Sequence, residues 1–313
     1  MSVRTIGVTG ASGFLGTSLL RRLEADRGVR VVALTRTLGP SHAKPSPSVE
    51  WRQVDLGSDE DCRAFVAEVD TIVHLAHTNT PLTSNRNLPS DASVNTDPTL
   101  TLLQAIREAQ TRPHLVYASS GGALYRPSED GSPVNEESPL EPLTSYGILK
   151  LAFEQYLRMG AHEGWLTATI LRIGNPYGVL LPMERLQGFI GVALHQLLDG
   201  RPVRVFGDLE NVRDYVHLDD VCQAFLHALD AASPFGLYNI GSGRGTSVRE
   251  VLEILGRATG GEVPIERDEI PGDAARLPRW IVLDASKAER AFGWRAEVKL
   301  EDGVRAMWER ARR

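Results

Sequence analysis

Two groups of residues in this sequence are spaced for chemistry. The first is Tyr146-Gly147-Ile148-Leu149-Lys150, whose i, i+4 separation sets a phenol and an ammonium on one helical face. A phenol titrates near ~10 and is a poor base at neutral pH, but adjacent positive charge makes its proton easier to lose. The pair suits proton transfer at a hydroxyl. The second group is Gly10-Ala11-Ser12-Gly13-Phe14-Leu15-Gly16, which follows the apolar run Val3–Val8 and opens an apolar helix. Gly10 permits a tight turn, Gly13 lets backbone approach a pyrophosphate, and Gly16 allows close helix–strand packing. N–H groups at the helix start face the phosphate charge. A dinucleotide on Gly10, Ser12, Gly13, Phe14, Leu15 and Gly16 is the expectation.

The second strand ends in Thr35-Arg36, where a carboxylate would hold the ribose hydroxyls of NAD. Arg36 there suits a 2′-phosphate and hence NADP. Equally, Arg36 stacks on adenine and Thr35 tolerates either dinucleotide, so the cofactor is NAD or NADP. Asp55-Leu56 follows the next strand, where the carboxylate is placed to reach the adenine amino group or simply leads a helix.

These groups need a frame. Short β-type runs at Val3–Val8, Val29–Leu34, Thr71–Leu75, His114–Ala118 and Thr167–Arg172 alternate with helical patterns at Asp59–Val69, Ala92–Ala109 and Tyr146–His162. That alternation predicts an α/β fold, a doubly wound parallel sheet of Rossmann type. Thr37–Pro47 and Arg126–Leu143 read as loops. Beyond Arg172 the pattern is less regular: a helix at Gln187–Asp199, a strand at Val203–Phe206, a helix at Leu218–Ala231, a strand at Leu237–Ile240 and a terminal helix from Leu300. Ser247 with Glu250 and Ser286 with Glu289 read as capping boxes. The expected division is a dinucleotide domain over 1–172, completed by about 214–245, and a smaller α+β C-terminal substrate lobe over 173–213 and 246–313.

Composition narrows the partners. The 313 residues carry a net charge of -6, which offers no basic field for nucleic acid. Cys62 and Cys222 cannot build a disulfide framework or a thiolate zinc site, and a reducing cytoplasm fits them. The start of the chain lacks signal-peptide features, and no run approaches a membrane span, so no membrane role is expected. His74, His77, His195, His217 and His227 show no metal-ligand spacing and read as packing or surface residues, with His77 placed to touch substrate if any does. No metal is expected.

Taken together, the glycine turn and the YxxxK pair resemble the short-chain dehydrogenase/reductase superfamily. The extended, nucleotide-sugar-modifying branch, of NAD-dependent epimerase/dehydratase type, is similar over nearly the whole chain. The resemblance extends through Leu75-Ala76, Asn95, Ser119-Ser120-Gly121-Gly122, Asn175-Pro176-Tyr177-Gly178, Gln187-Gly188, Arg213-Asp214-Tyr215, Asp219-Asp220-Val221 and Asn239–Gly243. It implies Tyr146 as the acid/base at a sugar 4-hydroxyl and Lys150 on the nicotinamide ribose. Leu75, Ala76, Asn95 and Ala118 would join the cofactor contacts, and Ser119, Asn175, Gln187 and Arg213 those to substrate. Arg213 would bind phosphate, or else form a surface ion pair with Asp214; Phe206 would lie near the nucleotide base, or else be core.

Two positions depart from that pattern. Gly121 stands where the family places Ser or Thr, so the hydroxyl that shares the substrate proton would come from Ser119, Ser120, another residue or water, with Ser120 preferred. Ile270 stands where a second phosphate-binding Arg is expected, with Arg276 or Arg279 as substitutes. The implied function is a nucleotide-sugar 4-epimerase working on a UDP- or dTDP-hexose through a transient 4-keto sugar. The alternative is an NADPH-dependent 4-ketoreductase, and a third reading is a non-catalytic dinucleotide sensor. The helices at Ala92–Ala109 and Tyr146–His162 would pair in a homodimer.

Overall fold

The computed structural model describes residues 4–25, 28–39, 46, 48–128, 130–181, 188–230, 233–268 and 278–313. The first elements are β1 (Arg4–Thr9), α1 (Phe14–Ala25), β2 (Val29–Thr35), β3 (Val49–Gln53), α2 (Asp59–Ala67), β4 (Thr71–His74), α3 (Leu88–Glu108) and β5 (His114–Ser120). After them come α4 (Gly121–Leu124), α5 (Ser145–Glu163), β6 (Thr167–Ile173), β7 (Asn175–Tyr177), α6 (Phe189–Leu198), β8 (Val203–Phe206), β9 (Val212–His217), α7 (Leu218–Leu229) and β10 (Phe235–Ile240). The chain ends with β11 (Gly245–Ser247), α8 (Val248–Thr259), β12 (Ile265–Asp268), β13 (Trp280–Ile281), α9 (Ser286–Phe292) and α10 (Leu300–Ala311).

A seven-stranded sheet runs in the order β10-β6-β5-β4-β1-β2-β3. The ladders β1–β2, β1–β4, β2–β3 and β4–β5 are parallel, with Val8 opposite Ala33 on one side and Val73 on the other. The β-branched runs of these strands are buried, as a parallel sheet covered by helices requires. Strand order reverses between β1 and β4, the place in a doubly wound sheet where a crevice opens at the carboxyl ends.

Two compact units divide the chain: 1–119 with 144–171 and 224–237, and 120–143 with 172–223 and 238–313. In the first unit, Leu102, Leu103 and Ile106 of α3 and Phe153 and Leu157 of α5 pack on Ile72, Leu115 and Tyr117 of the sheet. Each such buried side chain contributes about 1.5–3 kcal/mol, so α5, which carries Tyr146 and Lys150, is anchored by its apolar face. Its N-terminus is fixed by Thr144, whose side chain accepts from the Gly147 N–H, and Gly164 ends it in a left-handed conformation.

In the second unit β9 pairs with β7, β11 and β13, and β8 with β12. Its core joins Tyr177, Ile190, Leu194, Val205, Val251, Leu255, Val304 and Met307. The Ser247–Glu250 capping box is present at the start of α8. The Ser286–Glu289 box is not: Ala285 is the cap of α9, and the Ser286 N–H donates instead to Asp284 Oδ1 at 2.8 Å. The Asx turn at Asp284 starts the helix one residue early and takes the role the serine would have played.

Candidate active site

The glycine turn lies between β1 and α1 with each glycine in a distinct situation. Gly10 has φ +67, and a Cβ there would lie 2.7 Å from the Ala76 nitrogen, so only glycine lets β1 pass the chain leaving β4. Gly16 is packed against the turn itself, since a Cβ would sit 2.4 Å from the Gly10 carbonyl oxygen. Gly13 is exposed, and its Cβ would meet only that same oxygen, at 3.0 Å. The turn is therefore held on the inside by Gly10 and Gly16 and bare on the outside at Gly13. That is the cradle a pyrophosphate needs, so these residues fit a dinucleotide. Ser12, Phe14 and Leu15 are partly exposed on the same turn.

At the end of β2, Thr35 is buried and its hydroxyl is engaged with the backbone of Thr37, while Arg36 is exposed. Asp55 caps a turn through its Oδ1, which accepts from the Gly57 N–H at 2.9 Å, and Leu56 packs on the core. Leu75 and Ala76 are tied to Thr9, whose carbonyl and hydroxyl accept their N–H groups. Asn95 is buried: its Oδ1 accepts from the Thr78 N–H at 2.8 Å and its amide donates to Asp91.

Tyr146 and Lys150 lie on α5 facing β5. The Lys150 ammonium is buried, donates to the Ala118 carbonyl at 2.7 Å, and stands 5.5 Å from the centre of the Tyr146 ring and 4.8 Å from that of Tyr117. Burial lowers its pKa to about 7, opposed by the charge of Glu154. Around it sit His74, His77 and Tyr117. His74 bonds Thr9 and Thr99 and stacks on Tyr117; burial, then the nearby Lys150 charge, hold its pKa down at about 3. His77 meets the Tyr146 ring edge-to-face at 4.8 Å, and the same two causes, in the same order, hold it well below the ordinary histidine range. Its buried Nε2 has no hydrogen-bond partner among the described residues. The histidine expected to be packing or surface is thus part of the Tyr146 neighbourhood.

Ser119 and Ser120 end β5 and are both buried. The Ser119 hydroxyl donates to the buried carboxylate of Glu154. Ser120 is the N-cap residue of α4, but its side chain makes no capping bond.

In the second unit, Asn175 donates to the Asp214 carbonyl at 3.3 Å. The surface ion pair between Arg213 and Asp214 does not form. Asp214 is fully buried and accepts from Ser242, Gly243 and Leu283, while Arg213 donates to the Val212 carbonyl at 2.8 Å. Phe206 is not core either: it is 47% exposed, with the Arg204 guanidinium 5.7 Å from its ring centre. Gln187, Ile270 and Arg276 lie outside the described residues.

Sequence reasoning passed over Asp91 and Glu154. Asp91 is fully buried and takes donors from Asn79, Asn95 and Ser145, with Asn85 accepting the Ser145 N–H beside it. The available signal was spacing: Asp91–Asn95 and Lys150–Glu154 each stand four apart on a helix.

The model of the NAD dependent epimerase/dehydratase family matches residues 6–241. The chain belongs to that family. Within it, a UDP-glucose 4-epimerase of Mycolicibacterium smegmatis is 34% identical over 96% of both chains. A dTDP-4-dehydro-6-deoxyglucose reductase of Escherichia coli is 30% identical over 97% of both. Among solved structures, the UDP-glucose 4-epimerase of Thermotoga maritima with UDP-glucose superposes with a TM-score of 0.88 at 29% identity, over 98% of both chains. That of Thermus thermophilus in complex with NAD gives 0.87 at 32%, over 98% of this chain and 99% of the other. The family fold and the doubly wound sheet agree.

Proposed function

We propose that the protein is a nucleotide-sugar 4-epimerase, acting on a UDP-hexose with a nicotinamide dinucleotide bound on the glycine turn. The observation that carries the reading is Lys150 of α5, held by the Ala118 carbonyl of β5 beside the Tyr146 ring. When bound, the dinucleotide supplies the hydride acceptor and donor at the sugar C4. Tyr146 takes the proton of the 4-hydroxyl as the transient 4-keto sugar forms, and returns it to the same oxygen after the sugar has turned to receive hydride on its other face. Lys150 favours the phenolate by its charge. Of the two β5 serines, Ser119 donates to Glu154 and Ser120 makes no capping bond, which supports Ser120 as the one that shares the substrate proton. Asn175 and Arg213 would bind the diphosphate, Arg213 through its planar fork, and exposed Phe206 the base.

The test is interconversion of UDP-glucose and UDP-galactose by the purified protein without added cofactor. Tyr146→Phe should lower turnover by about 10²–10⁴-fold with an unchanged melting temperature. No interconversion by the native protein would overturn the reading.

The Thr35-Arg36 pair favours a second reading, an NADPH-dependent 4-ketoreductase on a dTDP-sugar. NADPH oxidation with a 4-keto sugar nucleotide and no epimerisation would establish it. We infer a homodimer through α3 and α5, on which Leu88, Val94, Ile148, Tyr156 and Met159 are exposed apolar side chains. Tyr156→Asp with Met159→Asp should give monomers in sedimentation. No described helix is long and apolar enough to cross a membrane. Cys62 and Cys222, buried and outside any disulfide, fit a cytoplasmic location.

A further inference from the structure

On α5 the YxxxK spacing continues for another turn: Tyr146, Lys150 and Glu154 stand at successive i, i+4 positions on one face. Glu154 is only 2% exposed, an unusual place for a carboxylate, and it receives the Ser119 hydroxyl from the end of β5. The groups facing Lys150 come from three directions. They are His74 from β4 and His77 just after it, Tyr117 from β5, and Tyr146 and Glu154 from α5 itself. Both histidines are held neutral, and burial keeps Tyr117 protonated by raising its pKa well above the usual phenol range. Glu154 is the one carboxylate among these groups, and its charge acts against the loss of the Lys150 proton.

We propose that Glu154 is a positioning residue whose carboxylate, pinned by Ser119, keeps Lys150 charged in a site that otherwise strips its proton. The Lys150 charge is the one assigned above to Tyr146, so the inference rests on the epimerase reading for its purpose but not for its test. Burial works against an ammonium, and an ionised neighbour one helical turn away opposes that loss. Groups so spaced have Cβ atoms about 5–6 Å apart. At an effective dielectric constant of ~20, charges that far apart attract enough to change proton affinity by roughly a hundredfold or more.

The chain has four lysines, Lys44, Lys150, Lys287 and Lys299, so 13Cε-lysine labelling gives four NMR signals. Lys150→Arg identifies the one of interest. In the native protein it should titrate near pH 7, where its pKa stands at about 7. Glu154→Gln keeps the size and still accepts the Ser119 hydroxyl, and it should lower the midpoint by at least one pH unit. Glu154→Asp keeps the charge, and its midpoint should stay within half a unit of native. A merely space-filling role gives the reverse order, with Gln restoring native behaviour and Asp failing. An unchanged or raised midpoint in Glu154→Gln overturns the proposal. Should that protein not fold, a Glu154→Asp midpoint a full unit below native overturns it, and a native-like one supports it. Because the titration needs no substrate, absence of epimerisation with the expected shift would sink only the epimerase reading.

Discussion

Gly121 stands where the sequence resemblance leads one to expect Ser or Thr, and packing supplies a reason for glycine there. A Cβ on Gly121 would stand 2.5 Å from Leu283 Cδ1 and 2.8 Å from Cδ2, about 1 Å inside ordinary contact. Leu283 cannot easily yield: it is fully buried, packs with Tyr125, Val134 and Ile281, and its N–H is held by Asp214. Gly121→Ser, which supplies the hydroxyl expected there, should therefore cost about 1–3 kcal/mol from overpacking. At roughly 2–4 °C per kcal/mol for a large domain, the melting temperature should fall by several degrees. Leu283→Ala removes both clashing carbons and itself costs about 2–5 kcal/mol. In that background the added serine should cost almost nothing, giving a coupling of about 1–3 kcal/mol between the two sites. Urea unfolding of native, both single variants and the double variant, followed by circular dichroism, closes the cycle. Equal cost of the serine in both backgrounds, or no cost in either, would refute the steric account of Gly121.

Other perturbations separate binding from folding. Gly13→Ala should leave the melting temperature within about 2 °C while weakening dinucleotide binding at least about tenfold, read by calorimetry, because its Cβ enters only the bare side of the turn. Gly16→Ala, pressed against two backbone oxygens, should lose the fold first, seen as an early thermal transition. Thr35→Asp should shift dinucleotide preference toward NAD, and unchanged relative affinities would remove Thr35 from that choice. His74, whose folded pKa of about 3 lies below the ordinary value, binds fewer protons folded than unfolded between pH 6.5 and 3. Stability should thus fall with acid across that window, by up to about 1.4 kcal/mol per pH unit. His74→Gln should flatten the decline in urea midpoint.

The sheet and the helix bearing Tyr146 were legible because period and caps agree: buried apolar runs, Thr144 at one end of α5 and Gly164 at the other. Short strands such as β7, β11 and β13, of two or three residues, carry no period to read. Glu154 and Asp91 escaped for another reason. A carboxylate on a helix usually faces water, and only the packing of α3 and α5 reveals that these two do not. Gly121 was visible as a departure, but its cause required Leu283, far along the chain. Ser286 shows the opposite failure, a motif present in letters and displaced by a local turn at Asp284.

The hub at Asp91 has a practical consequence. Its two oxygens gather Asn79, Asn95 and Ser145, while Asn85 grips the backbone at the residue preceding Tyr146. Anyone transplanting the 77–87 loop from a relative to alter substrate preference would be exchanging one half of a latch. The graft should travel as a cassette with positions 91, 95 and 145, or the phenol will lose its seat before any new preference can be read.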